Sequence, residues 1–335
     1  MKTSEPVSTL ASKAVTEVAS RDLPYDAFVA DFMRRNRPVV VRGAVASWPA
    51  LRRWTPDYFR TRFHDKLVQV SYDEKIPFSV FIDGVEASTI ERPGPYMYRL
   101  FLHESLPEVL EDLVPQNPYA FPRRFASPLL PEYWRRPDGY VKLLIGGVGG
   151  GFPVMHFDTE NVHASVTEIY GDKEFILFPP GDGAYLYPKS NQLNHSAIDD
   201  PTAPDLDKFP LAAKATCYRT VLRPGDMVFV PCGWWHTARV LSTSISIGMN
   251  MLDRSNWAGF AREVSSTAWT SRPKALLKQS YFHATGLAFD MLEGLQRVAP
   301  PVARALAFPR RLAPLRASDV ADPSLTPMAI RISTL

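Results

Sequence analysis

The chain has 335 residues, 45% of them hydrophobic and 22% charged, with a formal net charge of +3. That balance is ordinary for a globular protein and too weakly positive to argue for nucleic acid as a partner. Two cysteines, Cys217 and Cys232, exclude a disulfide framework and any Cys-x-x-Cys motif. They read as buried free thiols, and a reducing, cytoplasmic setting is expected. No apolar run is long enough to span a bilayer, so no membrane partner is expected. Met1 to Ser20 lacks the apolar core of a secretory signal. The 31 prolines favour a loop-rich, β-leaning architecture over a helical bundle.

Taken in order, residues 1–20 read as a flexible or weakly helical leader. Leu23-Pro24-Tyr25 opens a helix with Phe28, Val29 and Phe32 on one face, and Asn36-Arg37-Pro38 ends it. Val39 to Gly43 is a short β-branched strand. Thr55-Pro56-Asp57 is a helix start, with a capping hydroxyl, proline at the first helical position and then an acid. Leu67 to Tyr72 alternates as a strand, residues 73–95 show no clear pattern, and Tyr96 to Leu102 reads as a strand. Residues 117–138 are rich in proline and aromatics without any period and read as an irregular wall. Val141 to Gly146 is a strand. The glycine run 146–151 is no phosphate loop, since no Gly-Lys-Ser/Thr follows; it suits a hairpin whose backbone approaches a neighbour closely.

The chemistry concentrates in Pro153-Val154-Met155-His156-Phe157-Asp158 and Gly233-Trp234-Trp235-His236. Two residues apart on a strand, His156 and Asp158 leave the same face and hold adjacent positions of one metal ion. His236 could supply a third ligand from a neighbouring strand. Two imidazoles and one carboxylate with open positions form the arrangement of non-haem Fe(II) oxygenases. Between the two motifs the chain alternates strand and turn, except for the polar, proline-rich loop 187–215, whose length suggests a lid or binding loop. Strands with Gly/Pro turns around a metal motif argue for a closed or double-sheet jelly roll of the cupin kind. After Asp253 the apolar residues fall at helical spacing. The expected organisation is a leader (1–20), a jelly-roll domain with N-terminal helices (21–253), a helical segment (254–318) and an irregular tail (319–335). In the helical segment Trp257, Phe260, Trp269, Leu276, Leu277, Phe282, Leu287, Met291, Leu292 and Leu295 exceed what one stripe needs, so a homodimer surface is expected there.

The order His156-x-Asp158, Gly171-x-Lys173, Phe178-Pro179-Pro180, Pro224-Gly225-Asp226, Pro231-x-x-Trp234-Trp235-His236, Asn250 resembles the JmjC/cupin-like Fe(II)- and 2-oxoglutarate-dependent oxygenases. Within them it is similar to the asparaginyl hydroxylase type, factor inhibiting HIF and its bacterial relatives. Arg37 to Ala44 and Trp48-Pro49-Ala50 resemble that family's N-terminal segment, and the likeness spans residues 22–255. It implies a mainly β fold with flanking helices, His156, Asp158 and His236 as iron ligands, Fe(II), 2-oxoglutarate and O2 as cofactor and co-substrates, and release of succinate and CO2. It implies that Lys173 pairs with the far carboxylate of 2-oxoglutarate and that Asn250 lies on the co-substrate side. Phe101 stands where a co-substrate-binding tyrosine is expected, and Pro153 where a threonine is common. Ser165, Thr167 and Tyr170 are the candidates for the missing hydroxyls, although the strand phase from His156 turns Ala164 and Val166 inward, so a bulge is required for the odd-numbered residues. Asn161 and His163 sit beside the metal strand, His163 reading as a hydrogen-bonded histidine rather than a fourth ligand.

The implied activity is hydroxylation of an unactivated C–H of a peptide or protein side chain or of a small metabolite. A competing reading, favoured by the missing hydroxyls, is a jelly-roll scaffold that binds metal or a partner without turnover.

Overall fold

The computed structural model describes residues 10–70, 74–120, 141–152, 154–266, 271–299 and 302. The elements in chain order are β1 (Ser12–Ala14), β2 (Thr16–Ala19), α1 (Tyr25–Phe28, continued by a π turn Val29–Met33), β3 (Val39–Arg42), α2 (Ala50–Arg53) and α3 (Pro56–Arg62). Then come β4 (Leu67–Gln69), β5 (Lys75–Pro77), α4 (Phe78–Glu86), β6 (Tyr96–Phe101), α5 (Leu102–Ser105) and β7 (Lys142–Gly146). The central run is β8 (His163–Tyr170), β9 (Lys173–Phe178), β10 (Pro188–Lys189), β11 (Gln192–Ser196), β12 (Cys217–Leu222), β13 (Met227–Val230), β14 (Trp235–Val240) and β15 (Ser244–Met251), followed by α6 (Trp257–Ser265) and α7 (Arg272–Val298).

Two sheets carry the fold. The larger runs β2-β3-β13-β8-β15-β7-β6, and the smaller β1-β12-β9-β14. One apolar cluster takes Val40, Leu144, Ala164, Val166, Val228 and Val230 from the larger sheet and Phe175, Leu177, Leu222 and Ala238 from the smaller. The sheets therefore pack face to face, and the alternation of each strand decides which residues enter that shared core. A second cluster joins the outer face of the larger sheet, through Leu143, Ile145, Ile245 and Ile247, to α2, α3 and α4. Each such side chain contributes about 1.5–3 kcal/mol on burial. The result is a mixed β structure with flanking helices, consistent with the cupin/JmjC kind.

The strand at 39, the helix start at Thr55 and the strand at 142 form as their patterns predict. Thr55 accepts a hydrogen bond from the Tyr58 amide at 3.1 Å, with Pro56 at the first helical position. In the glycine run, a Cβ on Gly151 would stand 2.0 Å from the Ala238 carbonyl, so the close backbone approach requires glycine there.

Three expectations are corrected. Residues 12–19 are not a leader: β1 pairs parallel with β12 and β2 parallel with β3, so the chain crosses from one sheet to the other at buried Val15. Backbone pairing supplies what the polar sequence does not advertise. Residues 73–95 contain α4, whose buried Phe78, Phe81, Ile82 and Val85 have helical spacing. The loop 187–215 carries the hairpin β10–β11. The wall at 121–138, Trp269, Pro153 and the segments after Val302 lie outside the described residues.

In the C-terminal helices, Trp257, Phe260, Phe282 and Phe289 pack with Val162 and Leu252, seating the helices on the β structure. Leu276, Leu277, Leu287 and Met291 are 64–74% exposed. The apolar surplus thus divides between a seam within the chain and an outward face.

Candidate metal centre

His156 and His236 face each other across an antiparallel bridge. The His156 amide donates to the His236 carbonyl at 3.0 Å, and the His236 amide donates to the His156 carbonyl at 2.7 Å. Direct opposition puts the two rings on one side, their centroids 4.5 Å apart. β14 holds His236 in register opposite Leu177 of β9, while His156 sits between two stretches of irregular backbone. Asp158 follows two residues later, with Oδ1 4.0 Å from His156 Nε2. The ligand atoms of His156, Asp158 and His236 all lie within 4.8 Å of one another.

These residues fit a metal. His156 Nδ1 lies 3.0 Å from the Val154 carbonyl, and His236 Nδ1 3.0 Å from the Trp234 carbonyl. A carbonyl only accepts, so each Nδ1 carries the proton and each Nε2 lone pair is left for an ion. Burial, then the neighbouring His236, holds the His156 imidazole well below its usual range against the opposing pull of Asp158, so it is neutral and ready to ligate. Metal–ligand bonds of about 2.0–2.2 Å place neighbouring donors of one ion about 3–3.6 Å apart, so the triad closes on a shared ion with side-chain rotations that move the ligand atoms by about 1 Å.

The open side of the triad faces a cavity of about 180 Å³. Its walls include Tyr98, Lys142, Phe152, His195, Met249 and Asn250. Asn250 is one of the lining residues. His195, Lys142 and Tyr98 were not singled out by sequence reasoning. His195 arrives from β11, where an isolated bridge pairs it with His156. Its only signal was membership of a long polar loop. Tyr98 lies three residues before Phe101, and nothing but strand placement distinguishes the two.

The strand phase holds, which turns Thr167 away from the cavity and leaves Ser165 at its wall. β8 runs in unbroken register against β13 from Ala164 to Thr167, and its irregularity against β15 lies between Glu168 and Tyr170, too late to turn those residues. Ala164 and Val166 face the cavity, while Thr167 does not line it. Ser165 reaches the cavity wall, but its hydroxyl donates to the Met249 carbonyl at 3.4 Å. His163 accepts from the Cys232 amide at 3.0 Å and lies 3.5 Å from Asp253, as a structural histidine. Asn161 donates to the Asn256 carbonyl at 2.9 Å.

Lys173 lies one layer below the cavity. Val166 and Gly248 line the cavity, and two residues further along their strands, about 6.6 Å deeper, stand Glu168 and Ser246. Lys173 and Glu168 are both fully buried. Lys173 Nζ donates to Ser246 Oγ and lies 3.8 Å from Glu168 Oε2. Tyr96 places its ring centroid 5.7 Å from Nζ, and a Cβ on Gly146 would stand 2.3 Å from that ring, so the ring depends on the glycine. Phe152 meets Tyr96 edge-on at 5.7 Å and forms part of the floor between the layers. Burial lowers the Lys173 ammonium, with Glu168 opposing. Burial pushes the Glu168 carboxyl up to about 7, against Lys173 and the Ser244 hydroxyl.

Two imidazoles and a carboxylate at the mouth of a two-sheet β structure define a non-haem metal protein of the cupin/JmjC class. The chain belongs to the cupin-like domain family, whose model matches residues 24–252. Relatives include lysine-specific demethylase 8 of Danio rerio, 28% identical over 66% of this chain and 54% of the relative. The bifunctional peptidase and (3S)-lysyl hydroxylase JMJD7 of Homo sapiens is 25% identical over 62% of this chain and 75% of the relative. The tRNA wybutosine-synthesizing protein 5 of Gallus gallus is 26% identical over 67% of this chain and 72% of the relative. The chain thus spans about half the length of the zebrafish demethylase. The triad and the family together support Fe(II)- and 2-oxoglutarate-dependent oxygenase activity in general. Among the described residues no helix is long and apolar enough to cross a membrane.

Proposed function

We propose that this chain is a jelly-roll oxygenase that uses Fe(II), O2 and 2-oxoglutarate to hydroxylate an unactivated C–H, releasing succinate and CO2. The observation that carries the reading is the convergence of His156, Asp158 and His236, with both Nε2 atoms free, above a layer that holds a buried lysine. When bound, the iron with its co-substrate supplies the oxidising chemistry. The chain's residues orient and shield it. The Val154 and Trp234 carbonyls fix the ring tautomers, Phe152 screens the deep side from water, and Lys173 is the cation for the far carboxylate. Asn250, which lines the same cavity, is the proposed co-substrate-side amide.

For the substrate, a peptide side chain or a small metabolite fits a cavity with an open mouth. Lys142 on its wall opposes entry of a lysine or arginine side chain and favours an acidic or neutral group, such as the amide implied by the likeness to asparaginyl hydroxylases. A cytoplasmic homodimer, paired through the outward face of α7, completes the proposal. Light scattering at micromolar concentration should give twice the chain mass, and Leu277→Glu with Met291→Glu should halve it; a monomer mass for the native chain rejects the pairing.

The test of function is succinate formation with Fe(II), ascorbate and 2-oxoglutarate, first without and then with candidate substrates. The second reading, a scaffold without turnover, is favoured by one observation: Lys173 already has partners and does not line the cavity. Failure of the metal-loaded chain to bind 2-oxoglutarate selects that reading.

A further inference from the structure

The layer beneath the cavity holds more chemistry than a lone cation requires. Among the described residues, Glu168 Oε2 and the Tyr96 hydroxyl are buried and have no hydrogen-bond partner. Orphaned polar atoms are rare in folded interiors, and two around one lysine point to a ligand. We propose that Glu168 is the resident anion of the co-substrate's carboxylate subsite, and that seating a diacid on Lys173 is coupled to uptake of one proton by Glu168. The inference rests on the 2-oxoglutarate reading above.

The argument is a charge count in a dry layer. In the free protein Lys173 and Glu168 sum to zero and share full burial. A distal carboxylate arriving at Lys173 raises the count to one cation and two anions, with no water to solvate the excess. Burying an unpaired charge costs far more than protonating a carboxylate, so the layer returns to neutrality by taking a proton from solvent. The proton goes to Oε2, the Glu168 oxygen that pairs with Lys173 at 3.8 Å but makes no hydrogen bond, because Oε1 already accepts from Ser244 Oγ at 2.5 Å. Neutral Glu168 then offers an O–H where it had only acceptors, and the Tyr96 hydroxyl offers another. Both orphaned atoms acquire partners from a single bound carboxylate.

The groups facing Glu168 agree with that assignment. β9 contributes Lys173, β6 contributes Tyr96, and β15 contributes Ser244 and Ser246. The turn after β8 contributes Asp172, whose charge also disfavours ionised Glu168. From β13 only backbone reaches it: the Glu168 amide donates to the Asp226 carbonyl at 2.9 Å, while the Asp226 carboxylate is turned to Arg42 at 2.5 Å. Lys173 is thus the one cation of the layer among the described residues. With the free carboxyl at about 7, its proton is within reach at neutral pH.

The experiment is calorimetric titration of 2-oxoglutarate into the full chain loaded with Mn(II), in buffers of different ionisation enthalpy at about pH 8. Wild type should take up close to one proton per diacid, and its affinity should rise as pH falls, by up to about tenfold for each pH step above about pH 7. Glu168→Gln should bind without proton exchange and about tenfold or more tighter at about pH 8. Binding by wild type with no proton uptake overturns the inference and leaves the oxygenase reading standing. Absence of binding by both wild type and Glu168→Gln overturns the oxygenase reading and this inference with it. The proton count on wild type decides the matter even if the variant fails to fold.

Discussion

The two layers of the site differ in almost every physical respect. The upper one, with His156, Asp158, His236, Asn250 and Lys142, lines an open cavity and is assembled from segments far apart in sequence. The lower one, with Lys173, Glu168, Ser246 and Tyr96, is nearly closed to solvent and built on the regular interior of β8, β9, β15 and β6. In the upper layer a charged group is stabilised by water or by an ion. In the lower one it is stabilised only by another side chain. Ligand geometry therefore governs the upper layer, and charge balance governs the lower.

The largest expected effect breaks the upper layer. His236→Ala removes one of three ligands, and metal affinity should fall by more than about a hundredfold, beyond what loss of a supporting contact costs. Fe(II)-dependent succinate formation should vanish while the circular dichroism spectrum is kept. Retained metal stoichiometry in the variant would show that the ion lies elsewhere.

Next comes the lower layer. Lys173→Ala leaves Glu168 buried without its cation, a loss of about 3–5 kcal/mol for a broken buried pair. It should also weaken 2-oxoglutarate binding tenfold or more. Lys142→Ala, at the cavity wall, should change stability by less than about 0.5 kcal/mol and 2-oxoglutarate affinity by less than about twofold. Denaturant melts and calorimetry on the two variants test the division of labour. Equal effects on co-substrate binding would collapse the distinction between the layers.

A smaller effect sharpens the comparison through pH. The Glu168 carboxyl is raised in the folded chain to about 7, above its unfolded value. Its contribution to stability is then fully present below the unfolded value and is lost as pH rises through about 7. Glu168→Gln does not titrate. Native stability should therefore fall relative to the variant by about 2–3 kcal/mol between about pH 4.5 and pH 7, since a tenfold change in proton concentration is worth roughly 1.4 kcal/mol. Parallel pH profiles for the two proteins would mean that Glu168 ionises as freely in the fold as outside it.

The metal triad was legible because its signal is local: His156 and Asp158 share a strand face at a spacing of two, and His236 follows a strand closed by a turn. The β8 phase was legible for the same reason, and it correctly set Ala164 and Val166 inward. α4 was legible in principle, since Phe78, Phe81, Ile82 and Val85 repeat at helical spacing, but the neighbouring β4–β5 hairpin and the turns around it obscure its ends. Nothing local marks β1 and β2. They are strands because β12 and β3 offer free edges, and an edge is a property of the assembled sheet.

Side-chain type and period, taken along the chain alone, picked out the three residues that converge as a candidate metal triad and the β-branched and apolar strands that are buried. Tertiary structure alone decided that His195 reaches the cavity, that Thr167 does not, and that Lys173 lies below the cavity floor with Glu168 as its partner. The physical reason is distance. Periodicity assigns a residue to a face within its own element, but a neighbour's identity depends on register between elements. The charge of a buried group depends on that neighbour.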